Sequence, residues 1–227
     1  MEYKVVGKTV PAVEITPQRG ETMFTQSGGM FWKTAGIEMN TNTRGGFMKG
    51  LGRMFAGESM FMAHYTAQND NEQIAFAANV AGSLIPVDVD LIPGLIIQKR
   101  AFLCAQDSVQ LETVFNRKAK VGFFGGEGFI MQQLRGSGMA FLEVDGDMIQ
   151  KDLAPGEVLL VDTGNLVAFS PSIKYDIETV KGAANIFLGG EGLFHAKLVG
   201  PGRVFLQTMN FAEFVSNIAA CMPTSNG

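Results

Sequence analysis

A chain of 227 residues with 46% hydrophobic and only 18% charged residues can bury a large core and is too apolar to remain disordered. Its net charge of −4, with acidic and basic residues intermixed, excludes the global positive field that gathers nucleic acid or coats an anionic membrane. The 28 glycines exceed the usual share of about 7% and are spread out, as in folds with many tight turns and short strands.

The opening residues, Met1 to Val5, carry no basic segment followed by an apolar stretch, so a secretory leader is not expected and a cytoplasmic location is. Further along, Arg19-Gly20-Glu21, Pro93-Gly94-Leu95 and Pro155-Gly156-Glu157 mark three turns, each followed by an apolar run of strand length. Phe47, Met48, Leu51, Met54 and Phe55 fall on one face of a short amphipathic helix, with Lys49 and Arg53 on another. Gly50 and Gly52 weaken that helix. This segment occupies an insertion in the first third of the chain, and its Met-rich, adaptable face reads as a docking patch. The most apolar stretch, Ile74 to Val87, is broken by Asn79, Gly82 and Pro86 and is too short to span a bilayer.

Three segments align without gaps: Met54 to Tyr65, Phe123 to Leu134 and Phe187 to Leu198. Their Gly-Glu pairs place Glu58, Glu127 and Glu191 at spacings of 69 and 64 residues, and Gly20, Gly94 and Gly156 recur at 74 and 62. A closing marker follows at Gly136 to Leu142 and Gly200 to Leu206, with a degenerate Asn69 to Phe76 in which Asn and Asp stand where a turn needs positive φ. Ile130 to Leu134, Ala140 to Val144 and Val158 to Val161 have strand length between turn residues. The expected fold is therefore all-β: one domain of three homologous β-sandwich or β-barrel-like repeats, about 1–86, 87–150 and 151–210, around a pseudo-threefold axis. Phe211, Phe214, Val215, Ile218 and Met222 then line one face of a C-terminal helix over 211–222, ended by Pro223. Such a helix should cover the end of its own barrel or meet another subunit.

The stretch Phe187 to Thr208 resembles the signature of the mitochondrial-biogenesis family named for altered inheritance of mitochondria, and Met48 to Ser59 is similar to a second motif of that family. The resemblance implies a fold related to the tryptophan RNA-binding attenuation protein, with threefold β-sandwich units. It implies an association with membrane architecture in the mitochondrial members, and it supplies no catalytic residue.

The residues themselves offer little chemistry. Glu58, Glu127 and Glu191 either converge on the axis as a carboxylate ring for a hard cation or accept backbone N–H bonds across their own turns; the second reading is adopted. His64 and His195 lack the His-x-His spacing of a transition-metal site. Cys104 and Cys221 form no CxxC pair, and their apolar neighbours read as burying both thiols. No Gly-x-Ser-x-Gly elbow occurs, and Gly125-Gly126-Glu127-Gly128 lacks the lysine of a phosphate loop. The basic run Arg117, Lys118, Lys120 reads as a solvated turn. No catalytic, cofactor-binding or metal-ligating residue is expected. The expected function is a non-enzymatic scaffold or interaction protein, a homo-oligomer that meets a protein partner or a membrane surface; nucleic acid is not expected as a partner. The alternative is a ligand-sensing or RNA-binding regulator of the attenuation-protein type.

Overall fold

The computed structural model describes residues 1–26, 28–40, 62–117, 129–179 and 194–222. The chain is mostly strand with a C-terminal helix. In chain order the strands are β1 (Glu2–Val6), β2 (Ala12–Thr16), β3 (Thr22–Gln26), β4 (Met30–Lys33), β5 (Ile37–Asn40), β6 (Met62–Ala67) and β7 (Ile74–Ala77). Then come β8 (Gly82–Asp88), β9 (Ile96–Gln98), β10 (Phe102–Gln106), β11 (Val109–Arg117), β12 (Phe129–Gly136) and β13 (Met139–Asp145). The last group is β14 (Met148–Leu153), β15 (Val158–Asp162), β16 (Leu166–Phe169), β17 (Lys174–Thr179), β18 (Phe194–Val199) and β19 (Gly202–Gln207), followed by helix α1 (Phe211–Cys221).

Among the described residues these strands form four open sheets, ordered β1-β2-β7-β4, β5-β6-β3-β10-β13-β8, β11-β12-β9-β16-β19-β14 and β15-β18-β17. Among the described residues the barrel form expected from the sequence does not occur: each sheet ends in two edge strands. The reason lies in the pairing. β7 lies between β2 and β4, β13 between β8 and β10, and β19 between β14 and β16. β6 lies between β5 and β3, β12 between β11 and β9, and β18 between β17 and β15. β3 and β9 then join β10 and β16, extending two of the sheets to six strands, while β4 and β15 remain as edges.

The alternation of side chains fills two cores. The chain divides into one compact unit of residues 1–93, 100–111 and 134–143 and another of 94–99, 112–133 and 144–227. In the first, β2 turns Val13 and Ile15 inward while Glu14 faces out to Lys4 at 2.8 Å, and Phe76, Met23, Ile74 and Phe141 are sealed from water around them. Tyr3 of β1 lies edge-on to Phe141 at 5.0 Å. In the second, Phe129, Met131, Phe169 and Leu198 form the corresponding centre. Burying each such side chain stabilises the fold by about 1.5–3 kcal/mol.

The turns explain many of the glycines. Gly20, Gly94 and Gly156 have φ of 85°, 80° and 78°, the left-handed region that a side chain disfavours. Among the described non-glycine residues only Asn71 has positive φ, at 63°, in the segment where the sequence substitutes Asn and Asp for glycine.

Candidate interaction surface

Several residues singled out in the sequence lie outside the described residues: Glu58, Glu127 and Glu191, and the patch Phe47, Met48, Leu51, Met54 and Phe55. Among the described residues no group of three or more His, Cys, Asp or Glu side chains is placed to hold a metal ion.

The histidines sit in separate sheets. His64, on β6, is mostly buried, stacks on Phe24 at 5.8 Å and meets Asp107 Oδ1 through Nδ1 at 3.1 Å. His195, on β18, stands in register with Asp162 of β15 on one side and Glu178 of β17 on the other. The thiols correct the expectation of two buried cysteines, because Cys104 is buried and Cys221 is exposed. The apolar neighbours of Cys221 belong to a helix none of whose residues is buried, which neighbouring residue types do not reveal.

The helix is well begun. Asn210 caps α1, its Oδ1 accepting from the backbone N–H groups of Ala212 and Glu213 at 3.2 and 3.4 Å, which satisfies two of the donors a helix start leaves orphaned. The Asn210 Nδ2 donates to Asp162 Oδ1 at 3.2 Å, tying the helix start to the last residue of β15. Burial, followed by the negative charge of Asp162, pushes the Glu213 carboxyl above its usual pKa. Beyond this anchor no helix residue is buried, and Phe214, Val215, Ile218 and Met222 are exposed. The expectation that the helix plugs a barrel end is thereby corrected: its face was legible, its exposure among the described residues was not.

Two sheet edges are also apolar. β4 presents Phe31 and β15 presents Val158 and Leu160, all exposed. Sequence alternation marks these residues as strand but cannot say which strands lack a neighbour. It also passes over two carboxylates that close turns: Glu21 accepts from the Gln18 N–H at 2.7 Å and Glu157 from the Ala154 N–H at 2.8 Å. The role proposed for repeated glutamates is thus filled at the Gly20 and Gly156 turns. Leu95 stands at the equivalent place after Gly94.

Against known proteins, residues 3–209 match the family described as Mitochondrial biogenesis AIM24. The chain belongs to the AIM24 family. A relative from Streptococcus pyogenes serotype M6, described only as an uncharacterized protein, is 27% identical over 223 residues, covering 95% of this chain and 88% of its own. A crystal structure of a Streptococcus pyogenes protein is similar with a TM-score of 0.80 and 25% identity, over 97% of this chain and 99% of that one. The AIM24 match ends just before α1, which begins at Phe211. Among the described residues no helix is long and apolar enough to cross a membrane.

Proposed function

We propose that this AIM24-family chain is a non-enzymatic interaction protein that works by associating with further copies of itself and with a protein or membrane-surface partner. The observation that carries the reading is α1, a helix begun by its own cap on which, among the described residues, Phe214, Val215 and Ile218 stand exposed. A helix of 11 residues is marginal alone, so an apolar face of this kind is accounted for by a surface that meets it.

The same reading holds the chain to be three related units of six strands. Its support is the strand order, in which β2 to β7, β8 to β13 and β14 to β19 follow one pairing scheme, and the shared positive φ of Gly20, Gly94 and Gly156. Kinship of fold with the tryptophan RNA-binding attenuation protein belongs to this reading and rests on the repeated pairing alone.

The test is native mass spectrometry of the full chain purified from its own host, over a range of concentrations, beside a variant carrying Phe214→Ser, Val215→Ser and Ile218→Ser. The wild type should appear as a multimer or with a retained partner. The variant should keep its melting temperature within a few degrees, since exposed changes cost no more than about 0.5 kcal/mol each, and lose associated mass. A wild type that is a bare monomer throughout, or a variant that keeps every associate, overturns the reading.

A further inference from the structure

We propose that α1 is an order–disorder element, which folds and opens as one unit while the strands before it stay closed, and that Asp162, Gly164 and Asn210 form the latch that sets the balance. The inference concerns how the helix is held and does not depend on what meets its apolar face.

The chain is pinned as far as Met209. The Gln207 carbonyl accepts from Asn165 Nδ2 at 2.9 Å, and the Gln207 side chain donates to the Gly164 carbonyl at 2.9 Å and accepts from the Asp145 N–H at 3.0 Å. The Thr208 N–H donates to the Asp147 carbonyl at 3.1 Å, Thr208 Oγ1 accepts from the Asp147 N–H at 2.9 Å, and the Met209 N–H donates to the Asp145 carbonyl at 3.1 Å. Gln207 is buried, and β19, which it ends, pairs with β14 on one side and β16 on the other. Backbone held in this way opens only when the sheet does.

Past Met209 the hold changes in kind. No residue of α1 is buried, so the helix has no core side chain whose extraction would resist opening. Its 11 residues are too few for a stable helix alone. The contacts of Asn210 take over. Its Oδ1 accepts from the first helical N–H groups, and its Nδ2 donates to Asp162 Oδ1. The same Asp162 oxygen accepts from the Gly164 N–H at 2.8 Å. One carboxylate of β15 thereby fixes both the turn Thr163–Asn165 and the Asn210 amide, so the acceptor on which α1 nucleates is placed from outside the helix. Nucleation is the costly step of helix formation. A cap held in position therefore acts on the whole helix, not on its first turn alone.

Gly164 is the third member of the latch. A Cβ at this position would overlap Cγ, Oδ1 and Nδ2 of Asn210. The Gly164 backbone lies outside the left-handed region, so the need for glycine here comes from the seat of Asn210 and not from φ. An alanine would leave the turn its conformation and displace the cap.

The experiment is hydrogen–deuterium exchange of the full chain, read by mass spectrometry for peptides covering β15, β19 and α1. Rates are extrapolated to infinite dilution, so that association does not enter. In the wild type α1 should exchange faster than β19 and slower than an unfolded peptide. Gly164→Ala should speed α1 about fivefold, the usual worth of an N-cap, with β15 and β19 unchanged, and Asp162→Ala should speed α1 while β19 keeps its rate. Asn210→Ser retains a capping oxygen but removes both the donor to Asp162 and the bulk over Gly164. Gly164→Ala should therefore add little in that background, a non-additivity that marks direct contact. Any of three results overturns the proposal: α1 exchanging in step with β19 in any of these chains, α1 of the wild type exchanging as an unfolded peptide, or Gly164→Ala having an equal effect, or none, in the two backgrounds.

Discussion

Burial pushes the Cys104 thiol well above its usual pKa, while Cys221 stands exposed at the end of α1. The thiolate is the reactive form, so an aromatic disulfide reagent near neutral pH should modify Cys221 in the native chain and reach Cys104 only on unfolding. Two thiols reacting at once in buffer would show that β10 opens readily. Glu72 offers a second residue-scale test. Its carboxylate accepts from the Thr34 hydroxyl, from Asn69 Nδ2 at 3.2 Å and from the Gly36 N–H at 3.1 Å, and these bonds, that from Thr34 foremost, hold its pKa below the usual value. A group whose folded pKa is depressed contributes stability that is present above its unfolded pKa, about 4.3 for Glu, and is lost as pH falls through the folded value. Glu72→Gln should lower the urea midpoint at neutral pH, where the carboxylate's contribution is fully present, and flatten the acid limb of its plot against pH, so that variant and wild type converge in acid. An unchanged acid limb would remove Glu72 from the account.

The elements were legible to different depths. Val158 to Val161, Ile130 to Leu134 and Ala140 to Val144 appear as strands because period-two burial and glycine turns act locally. The C-terminal helix lies where the spacing of Phe211, Phe214, Val215 and Ile218 puts it, starting one residue after Asn210. Its surroundings were illegible, because amphipathic spacing reports a face and not whether anything meets it. Asn210→Ala should cost about 1 kcal/mol of helix stability, seen as a drop in helical circular dichroism with the strand signal retained. Replacement by Asp keeps the acceptor for Ala212 and Glu213 but sets a second carboxylate against Asp162, so its effect should vary with salt. A helix signal indifferent to both changes would mean that something other than its cap orders α1.

For the molecule as a whole, the markers at Gly20, Gly94 and Gly156 were readable because positive φ restricts residue choice, whereas the open edges of β4 and β15 were not. Whether a strand has a neighbour depends on residues far away in the chain: Thr25 meets Cys104, and Ile97 meets Ala168. No local pattern carries that information. If copies of the chain associate through unlike patches, repetition gives a closed ring when the rotation closes and a filament when it does not. The mass series from the same spectrometry decides between them: a single closed stoichiometry for a ring, a ladder of sizes for a filament.

The pairing of β3 with β10 also bears on synthesis. β3 ends at Gln26 and its partner ends at Gln106, and a ribosome adding about 5–20 residues per second needs on the order of 4–16 s to make the intervening stretch. Throughout that interval the nascent chain holds β3 without β10 beside it. A second chain on the same message carries its own β10 and can offer it to that flank, so crowded translation should favour strand exchange between copies.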